Sequence, residues 1–195
     1  MNQLTRKDLW SLEEYDTLRP KFRKKVMLHK KPRRIKISPD CLLYFEDALT
    51  IKYQIQEMLH IEKTFKSEAI EDELAVYNPL LPDGNNWKAT FMIEYSDSKH
   101  RSRQLEKMLG IEDKVWIKVE TNNKVFAIAD EDLDRSNDTK TSAVHFLRFQ
   151  LSDKMKQDLK SGCELSIGIQ HEVYSYSTTV DSVSVQSLIN DFDHL

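Results

Sequence analysis

Residues 53–95, YQIQEMLHIEKTFKSEAIEDELAVYNPLLPDGNNWKATFMIEY, contain a helix, a loop and a strand, and this order decides the class of fold. Asp47 precedes the helix at a suitable N-cap position, and apolar residues at positions 51, 55, 58 and 59 form one stripe along it. Residues 78–86 are rich in Pro, Asp, Gly and Asn, which favour turns. From Trp87 to Tyr95 apolar and polar residues alternate, which is typical of a strand with one buried face.

Outward from this stretch the chain continues to alternate between the two patterns. We predict strands at 34–38, 41–46, 115–120, 124–129, 143–151 and 163–170, and helices beginning near Pro20, Ser67, Ser96 or Asp97, Ser152 and residue 183. Thr121, Asn122 and Asn123 predict a hairpin turn. The fold class is therefore α+β: residues 1–195 form a single domain with a mainly antiparallel sheet of about five to seven strands, helices on one face, and N-terminal helices wrapped around one end.

The composition indicates a cytoplasmic protein without a membrane span. Of its 195 residues, 31% are charged and 39% hydrophobic, and no apolar run approaches the roughly 18 residues of a membrane helix. The N-terminus carries acidic residues and has no hydrophobic segment of the signal-peptide kind. Cys41 and Cys163 lie far apart and belong to no CxxC pair, so we expect free thiols.

The net charge of −3 hides a strong asymmetry along the chain. Ten of the 29 Lys and Arg residues lie between Asp16 and Asp40, an interval without a single acidic residue, while the rest of the chain is strongly acidic. We predict a basic helical segment over 19–36 that binds an anion or an acidic partner through Lys21, Arg23, Lys24, Lys25, Lys30, Lys31, Arg33 and Arg34. Pro32 ends this helix.

Two other interpretations of the basic segment stay open. Clustered Lys and Arg can bind nucleic acid by neutralising phosphates. Only Phe22 interleaves the basic residues, however, and proteins that bind single strands usually add several stacking aromatic residues. The simplest interpretation is a solvated face that packs against the protein's own acidic surface or an acidic partner.

Glu57 and His60 form an ExxH motif, which supplies a carboxylate and an imidazole to the metals of di-iron helical bundles. Such sites use two of these motifs, and this chain has one. The pair is therefore a weak metal candidate, and on a helical wheel it lies opposite the apolar stripe. Glu62 falls inside the stripe, where a carboxylate must be paired, so we predict a structural partner such as Lys88 or Arg148.

Further polar residues lie on predicted strands and are candidates for a pocket. Arg148 and His145 belong to the strand 143–151, and side chains held there can flank a pocket for an anionic group. The complete set of pocket candidates is Glu62, Lys88, Glu94, His145 and Arg148. Asp130, Asp132 and Asp134 are spaced like the first ligands of an EF-hand, but Arg135 stands where such a loop requires glycine. No motif assigns a cofactor.

Four segments together resemble an uncharacterised bacterial family of domains of unknown function: YQIQEMLHIEKTF, ELAVYNPLLPDGNNWKATFMIEY, GIEDKVWIKVE and FAIADEDLDRSNDTKTSAVHFLRFQL. The resemblance extends from about Leu4 to Tyr174. Members are often encoded beside rubrerythrin-like proteins and an iron–sulfur oxidoreductase of the anaerobic glycerol-phosphate dehydrogenase subunit type. The resemblance therefore implies a redox or peroxide-defence setting. Position 60 is commonly arginine in the family, so His60 departs from its pattern.

Three hypotheses follow. The first is an accessory or interaction protein of a bacterial redox system, whose basic segment docks an iron–sulfur oxidoreductase or a rubrerythrin-like protein. The second is a metal- or cofactor-dependent enzyme that uses the pocket candidates. The third and weakest is a nucleic-acid-binding protein.

Overall fold

The computed structural model describes residues 3–120, 122–132, 135–137 and 139–192. Within them lie six α-helices, α1 (Leu12–Lys30), α2 (Ala48–Glu62), α3 (Ser67–Tyr77), α4 (Ser98–Lys107), α5 (Asp153–Lys160) and α6 (Ser182–Ile189). The strands in the same residues are β1 (Arg34–Lys36), β2 (Cys41–Phe45), β3 (Asn86–Ile93), β4 (Val115–Val119), β5 (Val125–Phe126), β6 (Ile128–Ala129), β7 (Val144–Gln150), β8 (Leu165–His171) and β9 (Tyr174–Thr179).

The strands form two antiparallel sheets. One has the order β1-β2-β3-β7-β6, and the other has the order β5-β4-β8-β9. The α+β class with mainly antiparallel pairing, predicted from the sequence, is confirmed. The strands are nevertheless divided between two sheets, a separation that the sequence patterns did not indicate.

The division occurs within the segment predicted as one strand over 124–129. β5 pairs with β4 and β6 pairs with β7, so the chain passes from one sheet to the other at Ala127. The Ala127 amide still donates to the carbonyl of Val115, at 2.8 Å, so backbone hydrogen bonding to β4 continues as far as Ala127. The predicted turn before this segment includes Thr121, which lies outside the described residues.

The inner faces of the two sheets share one hydrophobic core. Alternate residues of β3 point into it, with Trp87 and Phe91 fully buried, and Ile167 of β8 faces them from the other sheet. Trp87 also donates its indole N–H to the carbonyl of Leu188 at 3.0 Å and stacks on Phe192, with ring centroids 5.4 Å apart. These contacts fix α6 and the turn after it against the core.

Helix α2 is covered on two sides, which the helical wheel did not anticipate. Ile55 and Leu59 pack against α3, as the apolar stripe predicts. Tyr53 packs instead against Phe22 of α1. The predicted position of Glu62 in the buried stripe is wrong, because this residue is exposed where the helix ends. The polar side of the wheel is therefore an interface between helices.

Helix α1 begins earlier than Pro20 predicts. Ser11 caps it by accepting from the amide of Glu14, whose carboxylate accepts in turn from the amide of Ser11. This reciprocal cap starts the helix at Leu12 and leaves Pro20 inside it, with one backbone hydrogen bond fewer. No helix among the described residues has both the length and the apolar character that crossing a membrane requires.

Candidate functional site

The basic segment places exposed side chains on α1, on the turn after it and on β1. We use the term basic surface for its exposed members, Lys21, Arg23, Lys24, Lys25, Lys31, Arg34 and Lys36. Within the described part of the chain, no ion pair joins any of these side chains to a carboxylate. Lys30 is half-buried beside them. The apolar side chain of Leu28 is 55% exposed on the same helix, so the surface combines cations with apolar area.

Arg33 was predicted as part of this surface, but it lies in the interior. Its side chain is 2% exposed and makes a bidentate pair with Asp191, at 3.1 and 2.7 Å. The same guanidinium donates to the carbonyls of Phe45, Glu46 and Ser187. Every N–H of Arg33 therefore has an acceptor within the protein, and it cannot bind a partner. The reason is topological, since the chain after Pro32 passes beneath α6.

The buried Arg33 lies at the wall of a cavity of about 870 Å³ between α1, α2 and α6. Asp47, the N-cap of α2, lies 3.5 Å from Arg33 and accepts from the amide of Thr50. His29 contacts the same carboxylate, with Nε2 at 2.5 Å from Oδ2. Burial raises the pKa of Asp47, but the His29 hydrogen bond and the Arg33 charge outweigh it, so this pKa is lowered overall. Sequence reasoning missed this cavity because its walls are distant in the chain.

The five predicted pocket candidates do not meet in one place. Glu62 and Glu94 are exposed at separate positions, at the end of α2 and after β3. His145 points into the core, whereas Arg148 points from the opposite face of the same strand. Lys88 is the one candidate that joins Arg148, since the two residues are directly opposite each other on β3 and β7.

Lys88 and Arg148 share a carboxylate that was not predicted. Glu131 accepts two hydrogen bonds from Arg148, from Nε and from one terminal nitrogen, both at 2.7 Å, and lies 3.6 Å from Lys88 Nζ. The Arg148 hydrogen bonds lower the pKa of Glu131, and burial lowers the pKa of Lys88. Together these three side chains line a cavity of about 340 Å³ on the outer face of the sheet.

His145 lies in a buried polar network at the opposite face of β7. Its Nδ1 is 2.5 Å from Asp130 Oδ2, and its Nε2 is 2.8 Å from the Thr141 hydroxyl, 3.1 Å from the Ser142 carbonyl and 3.7 Å from Glu112 Oε2. Carbonyls and ionised carboxylates only accept hydrogen bonds. Both ring nitrogens of His145 therefore face acceptors, and the imidazole lies between the carboxylates of Asp130 and Glu112.

Glu112, Asp130 and His145 each offer one ligand atom, and these atoms lie within 4.8 Å of one another. Two carboxylates and an imidazole are a donor set that zinc or iron accepts. Ligation requires a deprotonated ring nitrogen, however, and here both nitrogens already face acceptors. A metal ion would have to compete with the hydrogen-bond contacts of Nε2. The Ser136 and Thr141 hydroxyls also hold Glu112, and together with the His145 charge they outweigh burial and lower its pKa.

The acidic loop that contains Asp130 has a different organisation from a calcium loop. The Arg135 guanidinium binds Asp130 at 3.1 Å and Asp132 at 2.6 Å. Arginine at the position where a calcium loop requires glycine thus places a cation between the first two carboxylates. Asp134, the third acid of the predicted series, lies outside the described residues.

The ExxH residues lie at the interface between α1 and α2. Both oxygens of Glu57 accept from Arg19, at 2.8 and 2.9 Å, and one also accepts from the Tyr15 hydroxyl at 2.6 Å. The Arg19 hydrogen bonds lower the pKa of Glu57 to about 2, against the effect of burial. His60 Nε2 lies 3.8 Å from Asp16. Glu57 is therefore engaged as the acceptor of an ion pair between helices.

Comparison with known proteins gives a family and a solved structure. The family model described as protein of unknown function, DUF3501, matches residues 3–192. A crystal structure of a novel protein of unknown function from Burkholderia pseudomallei is 48% identical, with a TM-score of 0.93, and the match covers 98% of this chain and 100% of that one. No protein of curated function matches the sequence. The predicted membership of a family of unknown function is thus confirmed.

Proposed function

Because the chain belongs to the DUF3501 family of proteins of unknown function, the activity must be argued from the molecule itself, and we propose an accessory protein that docks a redox partner through its basic surface. The partner would present an acidic face. The resemblance described from the sequence implies an iron–sulfur oxidoreductase or a rubrerythrin-like protein as this partner.

The observation that carries this proposal is the absence of internal counter-charges on the basic surface. Within the described residues, Arg19 and Arg33 each have a carboxylate partner, whereas the exposed Lys24, Lys25 and Lys31 have none. An unneutralised group of like charges on one helix repels itself and lowers stability. It also raises the association rate with an oppositely charged surface and fixes the orientation of the complex.

The surface is less suited to single-stranded nucleic acid. Phe22, the aromatic residue among the cations of α1, is 8% exposed and packs against Tyr15 and Tyr53. It therefore cannot stack on a base. The exposed apolar side chain of Leu28 fits a protein interface better, because such interfaces combine apolar area with a charged rim.

Charge reversal on the basic surface tests the proposal. The variant Lys24→Glu, Lys25→Glu, Lys31→Glu is compared with Lys99→Glu, Arg101→Glu, Arg103→Glu, which makes the same change of net charge on exposed positions of α4. We expect the first variant to bind the purified iron–sulfur oxidoreductase or rubrerythrin-like protein at least about tenfold more weakly, mainly through a slower association rate. The α4 variant should lose much less affinity for the same partner.

The same measurement at two salt concentrations adds a second criterion. Binding of the unchanged protein should weaken as the ionic strength rises and the Debye length shrinks from about 10 Å. Equal losses of affinity in the two variants would show that binding depends on net charge rather than on the basic surface. That result would contradict the proposal. Absence of binding to both purified partners at low salt would also contradict it.

A second candidate function is favoured by the Glu112, Asp130 and His145 cluster. In this alternative the protein binds a metal ion and uses it catalytically, and His145 is the residue kept from the predicted pocket. Metal analysis of the purified protein, with an optical spectrum, tests it. Stoichiometric zinc or iron that is lost in Glu112→Gln would support this candidate, and metal-free protein that takes up neither ion would count against it.

A further inference from the structure

Lys88 and Arg148 present an unusual arrangement in the five-stranded sheet. They lie directly opposite each other on β3 and β7, and their side chains are 17% and 22% exposed. Like charges at directly opposed positions of neighbouring strands are destabilising. The pair is tolerable when an anion lies between the two cations. A conflict between local charge and fold of this kind is typical of a functional site.

The anion that lies there belongs to the protein. Glu131 reaches in from the end of β6 and makes the forked contact with Arg148 that a carboxylate ligand would make. Its own side chain is 45% exposed, so solvent competes for it, and pairs of such exposure contribute little stability. Glu131 is thus a weakly held anion between two cations, and the Asp83 charge also acts on both of them.

The surrounding space is larger than the Glu131 carboxylate needs. A cavity of about 340 Å³ and a second cavity of about 310 Å³ lie beside the three charged residues. Both are lined by Lys88, Glu131 and Arg148, so the two cavities adjoin at these side chains. The apolar lining of the first cavity includes Pro79, Leu80 and Phe146, and Glu46 and Asp132 line it as well.

We propose that Lys88 and Arg148 form a binding site for a small carboxylic acid with an apolar body, and that Glu131 occupies this site when the ligand is absent. The carboxylate of the ligand replaces that of Glu131 between the two cations. The apolar body enters the cavity beside Phe146. This binding site is separate from the basic surface, so it does not depend on the accessory function proposed above.

The decisive variant is Glu131→Gln, because removing the internal competitor should strengthen binding rather than weaken it. A tethered group competes at an effective concentration on the order of millimolar or more. We therefore expect Glu131→Gln to bind hexanoate about two- to fivefold more tightly than the unchanged protein, measured by NMR titration, because an exposed ion pair competes only weakly. Glu106→Gln, an exposed glutamate on α4, is the matched control and should bind as the unchanged protein does.

Two further variants define the cationic half of the site. Arg148→Gln should abolish hexanoate binding, and Arg148→Lys, which keeps the charge but loses the fork, should give intermediate affinity. Hexanol, which lacks the carboxylate, should not bind. Titration with inorganic phosphate distinguishes general anion binding from a preference for an apolar acid. Thermal unfolding of each variant confirms that it is folded.

Equal affinities of Glu131→Gln and the unchanged protein for hexanoate would overturn the proposal, as would binding in Arg148→Gln at the unchanged affinity. Phosphate binding as tight as hexanoate binding would overturn the assignment to an apolar acid.

Discussion

The ion pair between Glu57 and Arg19 predicts a stability that depends on pH in a defined direction. Glu57 is 14% exposed and receives hydrogen bonds from Arg19 and Tyr15, which tie α2 to α1. We consider the variant Glu57→Gln, which keeps the size of the side chain and removes the charge. The exposed Glu62 on the same helix supplies the matched control, Glu62→Gln.

The magnitude follows from the shift of the Glu57 pKa from 4.5 to about 2. One unit of pKa difference between folded and unfolded protein corresponds to about 1.4 kcal/mol, so the full shift would contribute about 3 kcal/mol. Arg19 is 38% exposed, and solvent screens the pair. We therefore expect Glu57→Gln to lower the free energy of unfolding by about 1–2 kcal/mol near neutral pH.

The sign of the pH dependence is fixed because the folded pKa is the lower one. The contribution of Glu57 is complete above its unfolded pKa and is lost as the pH falls through the folded pKa. Urea denaturation at several pH values should show a constant difference between the two proteins above about pH 5, shrinking toward zero near pH 2. A difference that stays constant across this acid range, or one no larger than that of Glu62→Gln, would refute the reasoning.

Three other perturbations test separate parts of the fold. Arg33→Met should lower the free energy of unfolding by about 3–5 kcal/mol, because it removes the bidentate partner of the buried Asp191 carboxylate, and a loss below about 1 kcal/mol in urea denaturation would contradict this. Gly168→Ala should cost about 2 kcal/mol or more by overpacking, since the added carbon would lie 2.4 Å from the Trp116 ring, and an unchanged melting temperature would count against it. In a Cys163→Ser variant, Cys41 should stay unreactive toward a chromogenic disulfide reagent until the protein unfolds, because burial raises its pKa to about 11; rapid labelling of the native protein would contradict that.

Much of the secondary structure could be predicted because its signals are local. The Asp47 cap of α2 and the alternation that begins at Trp87 correspond to a helix start and a strand in the structure. β9 was missed, since Ser and Thr make up most of it and Tyr174 is its one buried residue. The break at Ala127 was missed because an apolar run gives no sign of a change of sheet.

The candidate sites were predicted less well. Lys88 and Arg148 were both chosen as pocket residues and do lie together, but their partner Glu131 was not identified. The loop that carries Glu131 has many acids, and nothing local distinguishes the one that folds back onto the sheet. The cluster around His145 was missed for the same reason, since Glu112 lies on a turn far from it in sequence.

The sequence by itself determined the α+β class, the family, and the segregation of positive charge into residues 19–36. Only the tertiary structure decided which of those charges are available to a partner. Arg33 and Arg34 are adjacent in the chain, yet Arg33 is buried against Asp191, 158 residues away, and Arg34 is exposed. Helix and strand propensities act over a few residues, whereas the cost of burying a charge depends on what the folded chain places beside it.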